Sequence, residues 1–110
     1  MKIINLNPSV IYFTHSRIRQ QFTGCGKMIM DSLQECLENP SQILKIPKIK
    51  VIYDQEGNRF ITMNNRRLFL FKRLQKEGKL DEISVYLEYL KPNSKMMFNT
   101  YSLVAKIDKK

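Results

Sequence analysis

The strongest constraint on this chain is a continuous pattern between residues 48 and 78. Lys48-Ile49-Lys50-Val51-Ile52-Tyr53 alternates, with Ile49, Val51 and Tyr53 on one face, the period of a half-buried strand. Ile46-Pro47 opens it, at a place where a strand tolerates proline's missing N–H. Asp54-Gln55-Glu56-Gly57-Asn58 reads as a turn, and Arg59-Phe60-Ile61-Thr62-Met63 as the returning strand of a hairpin. Asn64 and Asn65 can cap a helix from Arg66 to Glu77, with Gly78 just past its end. Leu70, Phe71 and Leu74 form that helix's apolar face, and Lys72, Arg73 and Lys76 lie mostly outside it. A hairpin that runs into an amphipathic helix buries its apolar faces most simply by packing one on the other. Such a chain is neither all-α nor all-β.

The flanks extend this unit. Ser9 to Thr14 is rich in β-branched and aromatic residues and reads as a strand, followed by a polar stretch, His15 to Thr23, that carries Arg17 and Arg19. After Gly24-Cys25-Gly26 the residues Ile29, Leu33, Cys36 and Leu37 mark one face of a helix from Lys27 to about Asn39, which Pro40 ends. Ile83 to Tyr89 alternates with Ile83, Val85 and Leu87 inward, and Pro92-Asn93-Ser94 breaks the pattern. The tail from Lys95 to Ile107 suits a helix through Met97, Tyr101 and Val104, or a strand through residues 101–104. Strand, helix, hairpin, helix, strand is the order of a small α+β fold, a mixed sheet with helices packed on it. With no repeat or linker, the expectation is one domain over 1–110, with a core of about 7–90 and a C-terminal extension over 91–110.

Charge narrows the partners. Nineteen Lys and Arg against ten Asp and Glu give a net charge of +9, while 43% apolar residues supply a core and exclude a disordered chain. No apolar run approaches the roughly 18–20 residues of a membrane span, so no membrane partner is expected. The first residues, Met1-Lys2-Ile3-Ile4-Asn5, lack the long apolar region of a secretion signal, so a nuclear or cytoplasmic rather than secreted protein is expected. Cys25 and Cys36 make no disulfide framework, and with one histidine there is no metal-ligand set.

The informative chemistry is Arg66-Arg67. A helix start carries partial positive charge and open N–H groups, so cations there are unfavourable by about 0.3–1 kcal/mol each. Two arginines at that place fit a bound anion that reverses the sign, with guanidinium forks and helix N–H groups gathered on a phosphate. From Arg59 to Lys79 there are seven cations and one acid, so most of the chain's excess is here. The competing structural role is ion pairing of Arg66 and Arg67 with Glu56 or Glu82. Gly24-Cys25-Gly26-Lys27 is a second cradle ahead of a helix, without the spacing of a Walker A loop. Cys25 reads as an ordinary loop cysteine rather than a reactive thiol, and Cys36 as core. His15 follows the first strand without an identifiable acid partner, and no carboxylate pair marks a cleft for hydrolysis. The candidate anion or nucleic-acid ligands are therefore Arg66, Arg67, Asn64, Asn65, Arg17, Arg19, Lys27, Lys72 and Arg73.

Ile61-Thr62-Met63-Asn64-Asn65-Arg66-Arg67-Leu68, after a Pro-led strand and before another, resembles the ParB/sulfiredoxin-like superfamily. Ile11-Tyr12-Phe13-Thr14-His15-Ser16-Arg17-Ile18 and Phe22-Thr23-Gly24-Cys25-Gly26 are similar to a poorly characterised eukaryotic branch of it, and the resemblance spans about residues 7–90. It implies a nucleotide-phosphate site at the start of the second helix, and ParB relatives also bind DNA. Asn64-Asn65-Arg66-Arg67 stands where ParB-type hydrolases carry Gly-Glu-Arg-Arg, so the acid is missing; Asn64 can adopt the left-handed backbone of the glycine. Sulfiredoxins place their nucleophilic cysteine where Asn65 stands, which argues against that reaction. The sequence stops before a ParB-type helix-turn-helix would begin, which suggests a small subunit.

The expected function is a non-catalytic module that binds nucleic acid or another anion, an accessory subunit of a larger DNA-modifying or DNA-processing complex. Its expected partners are nucleic acid, DNA foremost, or a nucleotide phosphate, within a larger protein assembly. No catalytic residue and no cofactor are expected, unless the phosphate site takes a nucleotide. One alternative is a nucleotide hydrolase or phosphotransferase in the same pocket, with Glu56, Asp54 or His15 as its only nearby base. The other is a pure protein-interaction subunit that docks through Met96-Met97-Phe98.

Overall fold

A computed structural model of the chain describes residues 2–21, 27–55, 57–89 and 101–108. In chain order its elements are β1 (Lys2–Leu6), β2 (Ile11–Tyr12), β3 (Arg17–Arg19), α1 (Ile29–Glu38), β4 (Ile49–Asp54), β5 (Arg59–Thr62), α2 (Asn65–Lys76), β6 (Ile83–Tyr89) and β7 (Lys106–Asp108). Five strands form one mixed sheet in the order β1-β6-β4-β5-β2, and β3 and β7 form a separate parallel pair. The coarse α+β class read from the sequence is the architecture observed.

The alternating residues land where their period requires. Ile49 and Val51 lie beside Val85 and Leu87 across the parallel β4–β6 ladder, and all four are buried. Ile29, Leu33 and Cys36 from α1 and Leu68 to Phe71 and Leu74 from α2 complete a single cluster over that face. Each such side chain contributes about 1.5–3 kcal/mol on burial. Asn58 takes φ 51° in the β4–β5 turn, a left-handed conformation that asparagine tolerates. Gly78 ends the second helix region at φ 75°.

Four local expectations are corrected. The strand expected over Ser9–Thr14 shrinks to Ile11–Tyr12, because Pro8–Val10 is a 3-10 turn whose start is capped by Asn7 Oδ1 accepting from Ser9 N at 2.9 Å. The first helix starts at Ile29 rather than Lys27, since Met28 bridges Gln21 in extended backbone. Lys2–Leu6, which read only as a non-leader, is an edge strand paired antiparallel with β6. Arg17–Arg19, read as polar loop, is a strand because it pairs in parallel with Lys106–Asp108, a partner distant in sequence. The sheet thus reaches back to Lys2, and the C-terminal segment is tied on: Phe13 N donates to Ser102 O at 2.7 Å and Ser102 N to Phe13 O at 3.1 Å. The expectations on residues 22–26, on Glu56 and on Met96-Met97-Phe98 lie outside the described residues. Among the described residues no helix is long and apolar enough to cross a membrane.

Candidate functional site

The start of α2 is held from two sides, and its asparagines do the holding. Asn64 Oδ1 accepts from Lys50 N at 2.8 Å, which ties the helix to β4. Asn65 Oδ1 accepts from the backbone N of buried Thr14 at 2.9 Å, and its Nδ2 donates to Thr14 Oγ1 at 2.6 Å. Asn64 N in turn donates to Thr62 Oγ1 at 2.9 Å. The Asn64 side chain makes no capping hydrogen bond to α2. Two other helix starts, at Asn7 and Asn39, are capped by their asparagine oxygens. The capping role expected of Asn64 and Asn65 is therefore corrected: Asn64 anchors β4 and Asn65 the segment after β2, and both leave the first-turn N–H groups to other acceptors. Asn64 is at φ −130°, so the left-handed turn expected there does not form.

That first turn lines a cleft of about 420 Å³. Asn65, Arg66 and Arg67 form one wall, and His15, Arg17 and Arg19 the other. The alternation in β3 buries Ile18 and leaves the flanking Arg17 and Arg19 exposed, so both fall on one side. Four arginines thus line one concavity, and no Asp or Glu among the described residues lines it. Arg66 Nη1 donates to Gln21 O and Arg67 Nη1 to Lys48 O, each at 2.9 Å, so both anchor on backbone carbonyls. Burial pulls the Arg67 guanidinium below its ordinary pKa. It stays charged at any physiological pH, and an anion alongside offsets the desolvation of that charge. Chemically, the cleft offers fixed forks and helix N–H donors to tetrahedral oxyanions.

No family model, curated protein or solved structure matches the chain.

Of the residues singled out from the sequence, Arg66, Arg67, Asn64, Asn65, Arg17 and Arg19 line this one cleft. Lys27 lies next door, ion-paired with Glu35 and lining an adjoining cavity that shares Arg67. Lys72 and Arg73 are not brought to the cleft. Lys72 Nζ lies 5.1 Å from the centroid of the Phe13 ring and donates to Leu103 O at 2.8 Å, fastening the C-terminal segment. Arg73 lies over Phe69 in a separate depression with Met28, Met30 and Lys106. Cys36 is buried, and burial, with Glu35 adding to it, pushes its thiol pKa up, as befits a core thiol rather than a nucleophile. Sequence reading missed that Thr14 and Lys48 brace the arginine wall. Thr14 closing a β-rich run was the available signal; a backbone carbonyl leaves none.

Proposed function

We propose that this protein is a non-catalytic module of the ParB/sulfiredoxin-like kind that binds nucleic acid or another phosphate-bearing anion, and acts as an accessory subunit of a larger DNA-modifying or DNA-processing complex. The observation that carries the reading is the meeting of Arg17, Arg19, Arg66 and Arg67 in one cleft at the start of α2. The resemblance read from Asn64-Asn65-Arg66-Arg67-Leu68 supports it, since that superfamily uses this turn for phosphates. Four arginines in one cleft, with His15 its one candidate base among the described residues, support holding an anion.

The test is binding of fluorescent single-stranded DNA, duplex DNA and RNA over a salt series, with CTP and ATP as competitors. Arg66→Ala with Arg67→Ala is expected to weaken binding about 100-fold, from two lost charged hydrogen bonds, and to flatten the salt slope by about 0.7–0.9 per lost phosphate contact. Both arginines also hold backbone carbonyls, so the exposed pair Arg17→Ala with Arg19→Ala, checked for folding by urea unfolding, is the companion variant. Unchanged binding in both folded variants removes the cleft as the site. Nucleotide turnover that disappears on Arg67→Ala would instead establish the hydrolase reading, with His15 as the general base in the cleft.

A further inference from the structure

A second cavity of about 460 Å³ adjoins the arginine cleft, bounded by α1, the 3-10 segment Pro40–Lys45 and the start of α2. Lys27, Lys45 and Arg67 line it, with Glu35 as its one acid among the described residues, and Glu35 is paired with Lys27. Arg67 lines both cavities. Its hydrogen bond to Lys48 O fixes it as the ridge between them. Cations therefore line both cavities among the described residues: Arg17, Arg19, Arg66 and Arg67 the first, and Lys27, Lys45 and the shared Arg67 the second.

We infer that the ligand is a single nucleic-acid strand whose backbone crosses this ridge, with phosphates in both cavities. The inference rests on the phosphate-binding reading above and narrows it. A mononucleotide fills one cavity and leaves unused an adjoining one of like size that presents Lys45 and the shared Arg67. A duplex, with a persistence length of about 50 nm, is too stiff to follow a concave path over a ridge, whereas a single strand bends at each nucleotide. No Phe, Tyr or Trp lines either cavity among the described residues, so ring stacking there is limited to the His15 imidazole, which accepts any base. Affinity then comes from phosphates and is neutral to base identity.

The experiment compares thymidine monophosphate, hexathymidylate, hexaadenylate and a hairpin duplex on the full chain, with Lys45→Ala as the probe variant. Lys45 is exposed, and its replacement leaves the arginine cleft intact. Hexathymidylate is expected to bind at least about tenfold more tightly than the monophosphate, because the second contact is intramolecular. Lys45→Ala should remove most of that gain and lower the salt slope by about 0.7, while monophosphate binding stays unchanged. Hexaadenylate should match hexathymidylate. Equal binding of monomer and hexamer, a hexamer affinity indifferent to Lys45→Ala, or a duplex that binds as well as the single strand each overturns the inference while leaving the anion site standing. Binding of neither the monophosphate nor the hexamer overturns the anion reading itself.

Discussion

Asn65 separates structure from binding more cleanly than any other residue in the cleft. Its amide joins α2 to Thr14 through both a donor and an acceptor, while its backbone sits in the first turn, where an anion would be held. Asn65→Asp keeps the acceptor for Thr14 N, and the Thr14 hydroxyl can rotate to donate in return. A carboxylate at a helix start is favourable by about 0.3–1 kcal/mol, so urea unfolding should show stability unchanged or slightly raised. The same charge repels a phosphate, and affinity should fall about tenfold in a partly buried site. Asn65→Ala behaves differently, because it leaves the buried Thr14 N–H without its acceptor and costs about 1–3 kcal/mol. Joint loss of stability and binding in the aspartate variant would mean that the amide is purely structural.

Among the elements, α2 shows why charge density along a sequence is not charge density in space. Arg66 and Arg67 reach the cleft, yet Arg73, on nearly the same side two turns later, lies about 10 Å further along the axis. It packs over Phe69 instead. The cleft recovers its charge from β3, a strand that exists through pairing with β7 and is steadied by the Phe13–Ser102 hydrogen bonds. Ser102→Pro removes the Ser102 N donor to Phe13 O and should loosen that attachment. The expected result is faster amide exchange at residues 16–19 and anion affinity approaching that of the Arg17→Ala/Arg19→Ala variant, with exchange in α2 unchanged. Unaltered exchange at 16–19 would show that the C-terminal segment does not position these arginines.

For the whole molecule, the response to pH follows from how the C-terminal segment and the helices pack. Burial pulls the Lys72 ammonium down from 10.5 to about 8. Below about 8 both folded and unfolded chains carry that proton, and the cost of burying the charge is fully present. Between about 8 and 10.5 the unfolded chain holds a proton that the folded one has released, so stability rises with pH. Cys36 and Tyr101, both pushed upward chiefly by burial, act oppositely: stability falls as pH rises past their ordinary values. Lys72→Met isolates the first contribution. Urea unfolding at a series of pH values from 7 to 10 should give a wild-type-minus-variant difference that is level near pH 7 and climbs beyond pH 8. A flat difference would mean that Lys72 is solvated as an ordinary surface lysine.

The sequence by itself determined the elements whose pattern is local. Ile49, Val51, Val85 and Leu87 alternate, so the central strands and their buried face were legible. Gly78 and the apolar residues of the two helices marked where helices run, because period and backbone preference act over a few residues. Arg66 and Arg67 were legible as an anomaly, two cations where a helix start prefers acids. Tertiary structure alone decided what surrounds them. β1 and β3 are short strands that owe their conformation to partners far along the chain, β6 and β7, which no local pattern announces. The asparagines could cap their own helix or anchor a neighbour, and the choice depended on Lys50 and Thr14 arriving beside them. The cleft belongs to the same class: four arginines from two distant segments share it only because packing brings those segments together.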